Sequence, residues 1–161
     1  MENYIYCDII TSVNIRSYAN YNKNSGFIHS RKTIVRGKHI MKEIVVVDDN
    51  EMFLKILKDF AESISTDFKC TAFSNPEDAL RYMVEKIEIH AVISDYEMPQ
   101  MNGLTLAKRI IEVLPATKVI VISGHDTNYL RKHALKAEID ENKIRLLCKS
   151  NIINLSVLLN S

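Results

Sequence analysis

Ala91-Val-Ile-Ser-Asp-Tyr-Glu-Met-Pro-Gln-Met-Asn-Gly103 is the stretch on which the fold turns. A short apolar run, residues 91–93, delivers Ser94 and Asp95, and Pro99 and Gly103 then interrupt any regular element. That is the pattern of a buried strand running into a loop that exposes one carboxylate. In an α/β sheet, ligands bind at the C-terminal ends of the strands. One acid in that position says little, because an Asp after a strand is often only a helix cap. Its weight depends on what the neighbouring strands deliver.

Upstream, residues 44–47 form a β-branched run with the composition of a fully buried parallel strand, and it ends in Asp48-Asp49-Asn50. Phe53, Ile56, Leu57, Phe60 and Ile64 follow at helical spacing and predict one apolar helix face. Residues 69–73 read as a second strand. Ser74-Asn75-Pro76-Glu77 is a helix start, with a capping side chain, Pro near the first turn and acids that suit the dipole. Ala79, Leu80, Met83, Val84 and Ile87 form the expected buried stripe of that helix.

Downstream of the quoted stretch, Leu104, Ala107, Ile110, Ile111 and Leu114 predict a third helix, which Pro115 helps to end. Residues 119–122 are a fourth strand ending in Ser123-Gly124. Asp126 or Thr127 can cap a fourth helix through Leu130, Ala134 and Ala137. Residues 144–147 are a fifth strand ending in Cys148-Lys149-Ser150, and a short helix over 152–159 finishes the pattern. Repeated strand–helix units imply an α/β fold, a parallel sheet with right-handed crossovers and helices on both faces.

All the strand ends then fall on one edge of the sheet. The first supplies Asp48 and Asp49, the third Asp95, the fourth Ser123 and the fifth Lys149. Three carboxylates in one place repel one another, which favours a compact divalent cation with oxygen ligands. Mg²⁺ suits this set best, being bound by one or two carboxylates plus waters and a phosphoryl oxygen. An ammonium and a hydroxyl beside it are the groups that hold a transferring phosphoryl group. Singly, each has a plain reading: a cap, a turn, a solvated charge. Five coinciding at one edge in this order carry far more weight than any one.

Length and composition agree with one domain and about forty residues to spare. The chain has 161 residues, 47% hydrophobic and 25% charged, ordinary values for a soluble globular protein. The net charge of +1 hides an asymmetry: residues 1–41 hold six Lys/Arg against two acids, so the remainder is mildly acidic. Such a body does not advertise nucleic-acid binding. Cys7, Cys70 and Cys148 lack metal-site spacing and read as reduced cytosolic thiols. No apolar stretch is long enough to span a membrane, and Asp8 breaks the one apolar run that could serve a signal peptide.

Residues 1–40 are different in kind. They are rich in Asn, Ser, Tyr and Lys and show no amphipathic period, with a weak strand reading only at 4–10. A disordered or loosely held extension is one expectation. The other is that the segment is not part of the natural protein. Met41 stands directly before the first strand, and Arg36-Gly37-Lys38 can be encoded by AGA-GGA-AAA, which resembles a bacterial ribosome-binding sequence.

The order Val-Asp-Asp, Ser-Asp-x-x-Met-Pro-x-Met-x-Gly, Ser-Gly and then Lys resembles the receiver domain of two-component response regulators, over residues 42–160. The resemblance implies a flavodoxin-like, doubly wound sheet of five parallel strands in the order 2-1-3-4-5. It implies that Asp95 is the phosphoacceptor, taking a phosphoryl group from the phosphohistidine of a sensor histidine kinase or phosphotransfer protein. By the same token Asp49 ligates Mg²⁺ directly together with Asp95, Asp48 assists through bound water, and Glu97 offers its backbone carbonyl. Ser123 hydrogen-bonds the phosphoryl group and Lys149 pairs with it.

Three departures from the family's pattern stand out. The switch aromatic three residues before the Lys is Leu146 here, so the usual inward swing of a ring is not available. Ser150 replaces the Pro that commonly follows the Lys, often with a cis bond, and a cis bond before a non-proline residue is very rare; the expectation is that Lys149 is held differently. Ser123 and Lys149 are 26 residues apart, with charged residues 138–143 enlarging the connection.

The expectation is a stand-alone response regulator over 41–161, in the cytoplasm, ending at Ser161 with no output domain. It signals through an unknown downstream protein effector, without nucleic acid or membrane. It is not an enzyme beyond its own phosphorylation and dephosphorylation. Two alternatives stand beside it. One is a receiver-like adaptor that works without phosphorylation, favoured by Leu146 and Ser150. The other is a Mg²⁺-dependent aspartyl phosphatase resembling the haloacid dehalogenase-like group, disfavoured by adjacent acids where that group has Asp-x-Asp.

Overall fold

A computed structural model describes residues 41–86 and 88–160. The expectations for residues 1–40, with Cys7 and the weak strand at 4–10, and the place of Ile87 in a helix stripe lie outside the described residues.

The elements alternate: β1 (Lys42–Val47), α1 (Glu51–Ile64), β2 (Phe68–Phe73), α2 (Pro76–Val84), β3 (Ala91–Asp95), α3 (Gly103–Val113), β4 (Lys118–Ser123), α4 (Thr127–Lys136), β5 (Ile144–Cys148) and α5 (Leu155–Asn160). Two 3₁₀ segments, Glu141–Lys143 and Lys149–Asn154, precede β5 and α5. The strands form one sheet in the order β2-β1-β3-β4-β5, and every pairing is parallel. This is the doubly wound, flavodoxin-like order expected from the sequence.

The β-branched strands explain why the sheet is covered twice. Successive side chains of a strand point to opposite faces. Val45 and Val47 of β1 enter the apolar layer with Met83 of α2, Ile110 of α3 and Leu130 of α4. Ile44 and Val46 enter the opposite layer with Leu57 and Ala61 of α1 and Leu155 and Leu159 of α5. All four β1 side chains are fully buried, so neither face tolerates a polar residue there. Truncating a core side chain of this kind, such as Leu57→Ala, costs about 2–5 kcal/mol.

Helix starts follow the capping chemistry read from the sequence. Asn50, Asn75, Asn102 and Asp126 cap α1 to α4, each side chain accepting a backbone N–H of the first turn. Between the two candidates for α4 the cap is Asp126, and Thr127 is the first helical residue.

Some expected core positions lie elsewhere. Ile56 is 48% exposed, because Phe53, Leu57, Phe60, Ala61 and Ile64 already fill the inward face of α1, flanked by Leu54. Val84 at the end of α2 is likewise exposed, while Leu106 adds a buried side chain to α3. The last helix is shorter than the expected 152–159. Lys149–Asn154 winds as a 3₁₀ segment whose Asn151 leaves helical geometry, and the Cys148 cap position makes no side-chain hydrogen bond that would start an α-turn. The connection at 138–143 carries short structure of its own. Glu138 takes a left-handed conformation (φ 56°) that ends α4, Ile139 is buried, and Asp140 caps the short 3₁₀ turn.

Candidate functional site

Register brings the strand ends level. Val47 pairs with Ser94, Asp95 with Ile122 and Ser123 with Cys148, so Asp48, Asp95, Ser123 and Lys149 all emerge at the C-terminal edge of β1, β3, β4 and β5. Each is fixed first by its own backbone surroundings. Asp48 is fully buried, and its Oδ1 accepts the N–H of Asn50 at 2.9 Å. Asp95 is 5% exposed, and its Oδ2 accepts the N–H of Glu97 at 3.0 Å. These Asx turns leave the second oxygen of each carboxylate facing the site.

Lys149 fills that position. Its Nζ lies 2.8 Å from Asp95 Oδ1 and 3.1 Å from Asp48 Oδ2, while the ammonium sits over the Phe53 ring, 4.2 Å from its centroid. No cis peptide bond occurs among the described residues, and the ammonium reaches both acids. A ring on α1 and two carboxylates hold the Lys149 ammonium.

Electrostatics follow from three acids sharing one ammonium. Burial pushes the Asp95 carboxyl above its ordinary value; Lys149 pulls it back and Asp48 repels it. Burial also works against the charge on Lys149, but its hydrogen bonds and ion pairs with Asp95 and Asp48 prevail and raise its value. The two directions are compatible: the ammonium gains two partners, whereas Asp95 shares its single cation with Asp48. One carboxylate oxygen from each of Asp48, Asp49 and Asp95 lies within 4.8 Å of the others. Asp49 is exposed and opens the cluster to solvent. The donor set is all oxygen, and its charge exceeds what one ammonium neutralises. A hard divalent cation therefore fits these residues.

The loop after β3 is shaped by close approach. Gly103 has no room for a side chain: a Cβ there would fall 2.1 Å from the Asp95 carbonyl oxygen and 3.1 Å from Ser94 Oγ. Its N–H donates to the Tyr96 carbonyl at 2.9 Å, so the loop closes on itself directly behind Asp95. Gln100 accommodates the turn with φ 69°. Glu97 contributes its N–H to Asp95, and its side chain lies out at the surface, with Oε1 3.3 Å from His125 Nε2.

Ser123 is fully buried, and its Oγ accepts the N–H of His125 at 3.0 Å. Among the described residues no buried side-chain nitrogen or oxygen lacks a partner. Every site residue expected from the sequence thus lies at this one edge: Asp48, Asp49, Asp95, Glu97, Ser123 and Lys149. Phe53 and Asn50 were not legible as site residues. Helical periodicity places Phe53 in the core, and only the return of Lys149 from 96 positions later turns its face to a cation.

The family model of the response regulator receiver domain matches residues 44–142, more than half of the chain. The match ends before Lys149, so the assignment of that residue stands on its contacts. Chemotaxis protein CheY of Thermotoga maritima is 30% identical over 96 residues, covering 60% of this chain and 78% of CheY. Transcriptional regulatory protein DegU of Brevibacillus brevis is 29% identical over 94 residues, and the chain spans 39% of its length. A response regulator receiver domain protein from Clostridium thermocellum superposes with a TM-score of 0.63 at 26% identity, covering 74% of this chain and 91% of that one. Response regulator protein TrrA from Thermotoga maritima, solved in complex with Mg²⁺-BeF, gives 0.62 at 25% identity, covering 74% and 97%.

Proposed function

Because the chain belongs to the response regulator receiver domain family of two-component signalling, we propose that Asp95 accepts a phosphoryl group from the phosphohistidine of a sensor histidine kinase or phosphotransfer protein. A carboxylate oxygen of Asp95 forms the new P–O bond, the P–N bond breaks, and the imidazole leaves with the electron pair. Water later cleaves the acyl phosphate. The chain acts on no other substrate, and the phosphorylated form is read by a downstream protein partner in the cytoplasm.

One observation carries this reading: Lys149 bridges Asp95 and Asp48 at 2.8 and 3.1 Å, inside a cluster of three carboxylates. Lys149 is placed to pair with a phosphoryl oxygen, and Ser123 to donate its hydroxyl to another. Asp48, Asp49, Asp95 and the Glu97 carbonyl would hold Mg²⁺, which when bound neutralises part of the charge that the phosphoryl group brings. Phosphorylation replaces the single charge of the carboxylate with roughly −1.5 to −2 on the phosphoryl group, too much for one ammonium beside two further acids. Residues 41–161 form the receiver unit, and the first forty residues are dispensable for it; a chain beginning at Met41 should accept phosphoryl groups as well as the full chain.

Acetyl phosphate with Mg²⁺, read by intact mass, tests the reading. A single phosphoryl adduct should form on the wild type, be absent from Asp95→Asn, and disappear when EDTA replaces the metal. Asp49→Asn should raise the Mg²⁺ concentration needed. An adduct that forms equally well in EDTA rejects the metal assignment. Failure to form any adduct favours a phosphorylation-independent adaptor, and turnover of varied phosphomonoesters favours a phosphatase.

A further inference from the structure

Leu146 is half-buried, against the apolar layer that holds Tyr96, Leu130 and Ala134, and it has no ring to swing. The rings on this side of the sheet are elsewhere. Tyr96, the residue after Asp95, is 9% exposed and meets Tyr129 edge-on, centroids 6.0 Å apart, and His133 at 5.8 Å. Tyr129 itself lies between two imidazoles in tilted contacts, with centroids 4.3 Å from His125 and 4.2 Å from His133. The four-residue spacing of Tyr129 and His133 sets their rings along one side of α4, and His125, just before the Asp126 cap, brings a third ring to the same line. His133 Nδ1 lies 2.9 Å from the Tyr129 carbonyl oxygen, which orients the last ring.

This imidazole–phenol–imidazole ladder touches both loops that flank Asp95. From the β4 side, the N–H of His125 donates to Ser123 Oγ. From the β3 side, Glu97 Oε1 meets His125 Nε2, and Tyr96 meets the central Tyr129 and the His133 ring. The Tyr96 backbone is tied on both sides, its N–H donating to the Ile122 carbonyl at 2.7 Å and its own carbonyl accepting from Gly103, and the residue is buried. A buried ring on one loop and a ring tied to Ser123 on the other are what a displacement of α4 needs as anvil and lever.

We propose that the ladder centred on Tyr129 passes the state of Asp95 to α4, in place of an aromatic side chain on β5. The inference rests on the phosphoacceptor reading above. When the Ser123 hydroxyl turns to a phosphoryl oxygen on Asp95, its bond to the His125 N–H shifts with it. The His125 ring then moves against Tyr129, and Tyr129 slides along the buried Tyr96. Simple helix packing also accounts for rings in contact at this spacing, but packing alone confers stability without a response to Asp95.

The test is an amide-shift map of the full chain on addition of Mg²⁺ and beryllofluoride, with Tm as a check on folding. In the wild type, shifts should change at residues 95–97 and across residues 130–136. Tyr129→Phe keeps the ring contacts and should keep both sets. Tyr129→Ala should keep the changes at 95–97 and shrink those at 130–136 at least twofold. Changes at 130–136 of wild-type size in Tyr129→Ala overturn the proposal. No change at residues 95–97 in the wild type overturns the phosphoacceptor reading and the ladder with it. If Tyr129→Ala does not fold, His125→Ala removes one rung from the exposed end, and the same twofold criterion applies.

Discussion

The two halves of the site are built in different ways. On β1 and β3, the acids are set by residues within two or three positions of them: Asn50 N–H holds Asp48, Glu97 N–H holds Asp95, and the Asn50 side chain caps α1. On β4 and β5, the working groups depend on distant partners. Lys149 is placed by Asp48, Asp95 and the face of Phe53, and the His125 ring by Glu97 on another loop. The acidic half is a local structure that the rest of the fold completes. The basic half exists only once the sheet has closed. A response that begins at the first half can therefore be re-routed in the second, where Leu146 and Ser150 depart from the family pattern without disturbing the acids.

Removing the ammonium should break the contrast most severely. Lys149→Met should lower the rate of phosphoryl uptake from acetyl phosphate by about 100-fold, the scale for losing a preorganised charge-stabilising donor. Mg²⁺ affinity should hold or rise, because the acids lose their competing cation; a titration followed by intrinsic tyrosine fluorescence checks this. A rate within threefold of wild type would show that Lys149 is a structural ion pair only.

The two described glycines sharpen the comparison next. A Cβ at Gly103 would strike the Asp95 carbonyl, whereas one at Gly124 meets nothing within 4 Å. Gly103→Ala should cost about 1–3 kcal/mol by overpacking, while Gly124→Ala should stay within about 0.5 kcal/mol. Urea denaturation of the pair distinguishes them, and equal costs would mean that the β3 loop gives way more easily than its contacts imply.

A smaller effect tests the opposite edge of the sheet. Burial lowers the proton affinity of His90, whose Nε2 lies 3.1 Å from the Leu159 carbonyl oxygen at the end of α5. The unfolded chain then binds that proton more readily. The stabilisation is complete above the unfolded value of about 6.5 and is lost as pH falls through the lower folded value. His90→Gln should reduce the drop in Tm between pH 7.5 and 5.5; an unchanged drop would assign the acid sensitivity to other groups.

The last expected difference separates the two described thiols. Burial pushes the Cys70 thiol up to about 12, whereas Cys148 is half-exposed and the Ser150 hydroxyl beside it holds its thiol below the ordinary value. Because the thiolate is the nucleophile, iodoacetamide at pH 8 should label Cys148 well before Cys70. Peptide mapping that finds Cys70 labelled first would place the opening of β2 above that of β5.

What could be read from the chain alone was whatever local chemistry enforces. Runs of β-branched residues become strands buried on both faces. Asn and Asp before apolar periods become caps, and Asp95 with Gly103 eight positions later marks a loop closed tightly behind one carboxylate. The strand order, and the meeting of the six candidate residues at one sheet edge, followed from that pattern and the resemblance it carried. Tertiary structure decided the rest. Periodicity put Ile56 in the core, yet the sheet offers α1 only one line of contact, and Phe53, Leu57, Phe60 and Ala61 take it. It also gave Phe53 no role beyond packing, although its ring carries the Lys149 ammonium. Tyr96 is separated by β4 from Tyr129 and His133, so no spacing in the sequence announces the contact of its ring with theirs. Contacts of this kind are fixed by register and crossover, which bring distant residues together only after the apolar layers have closed.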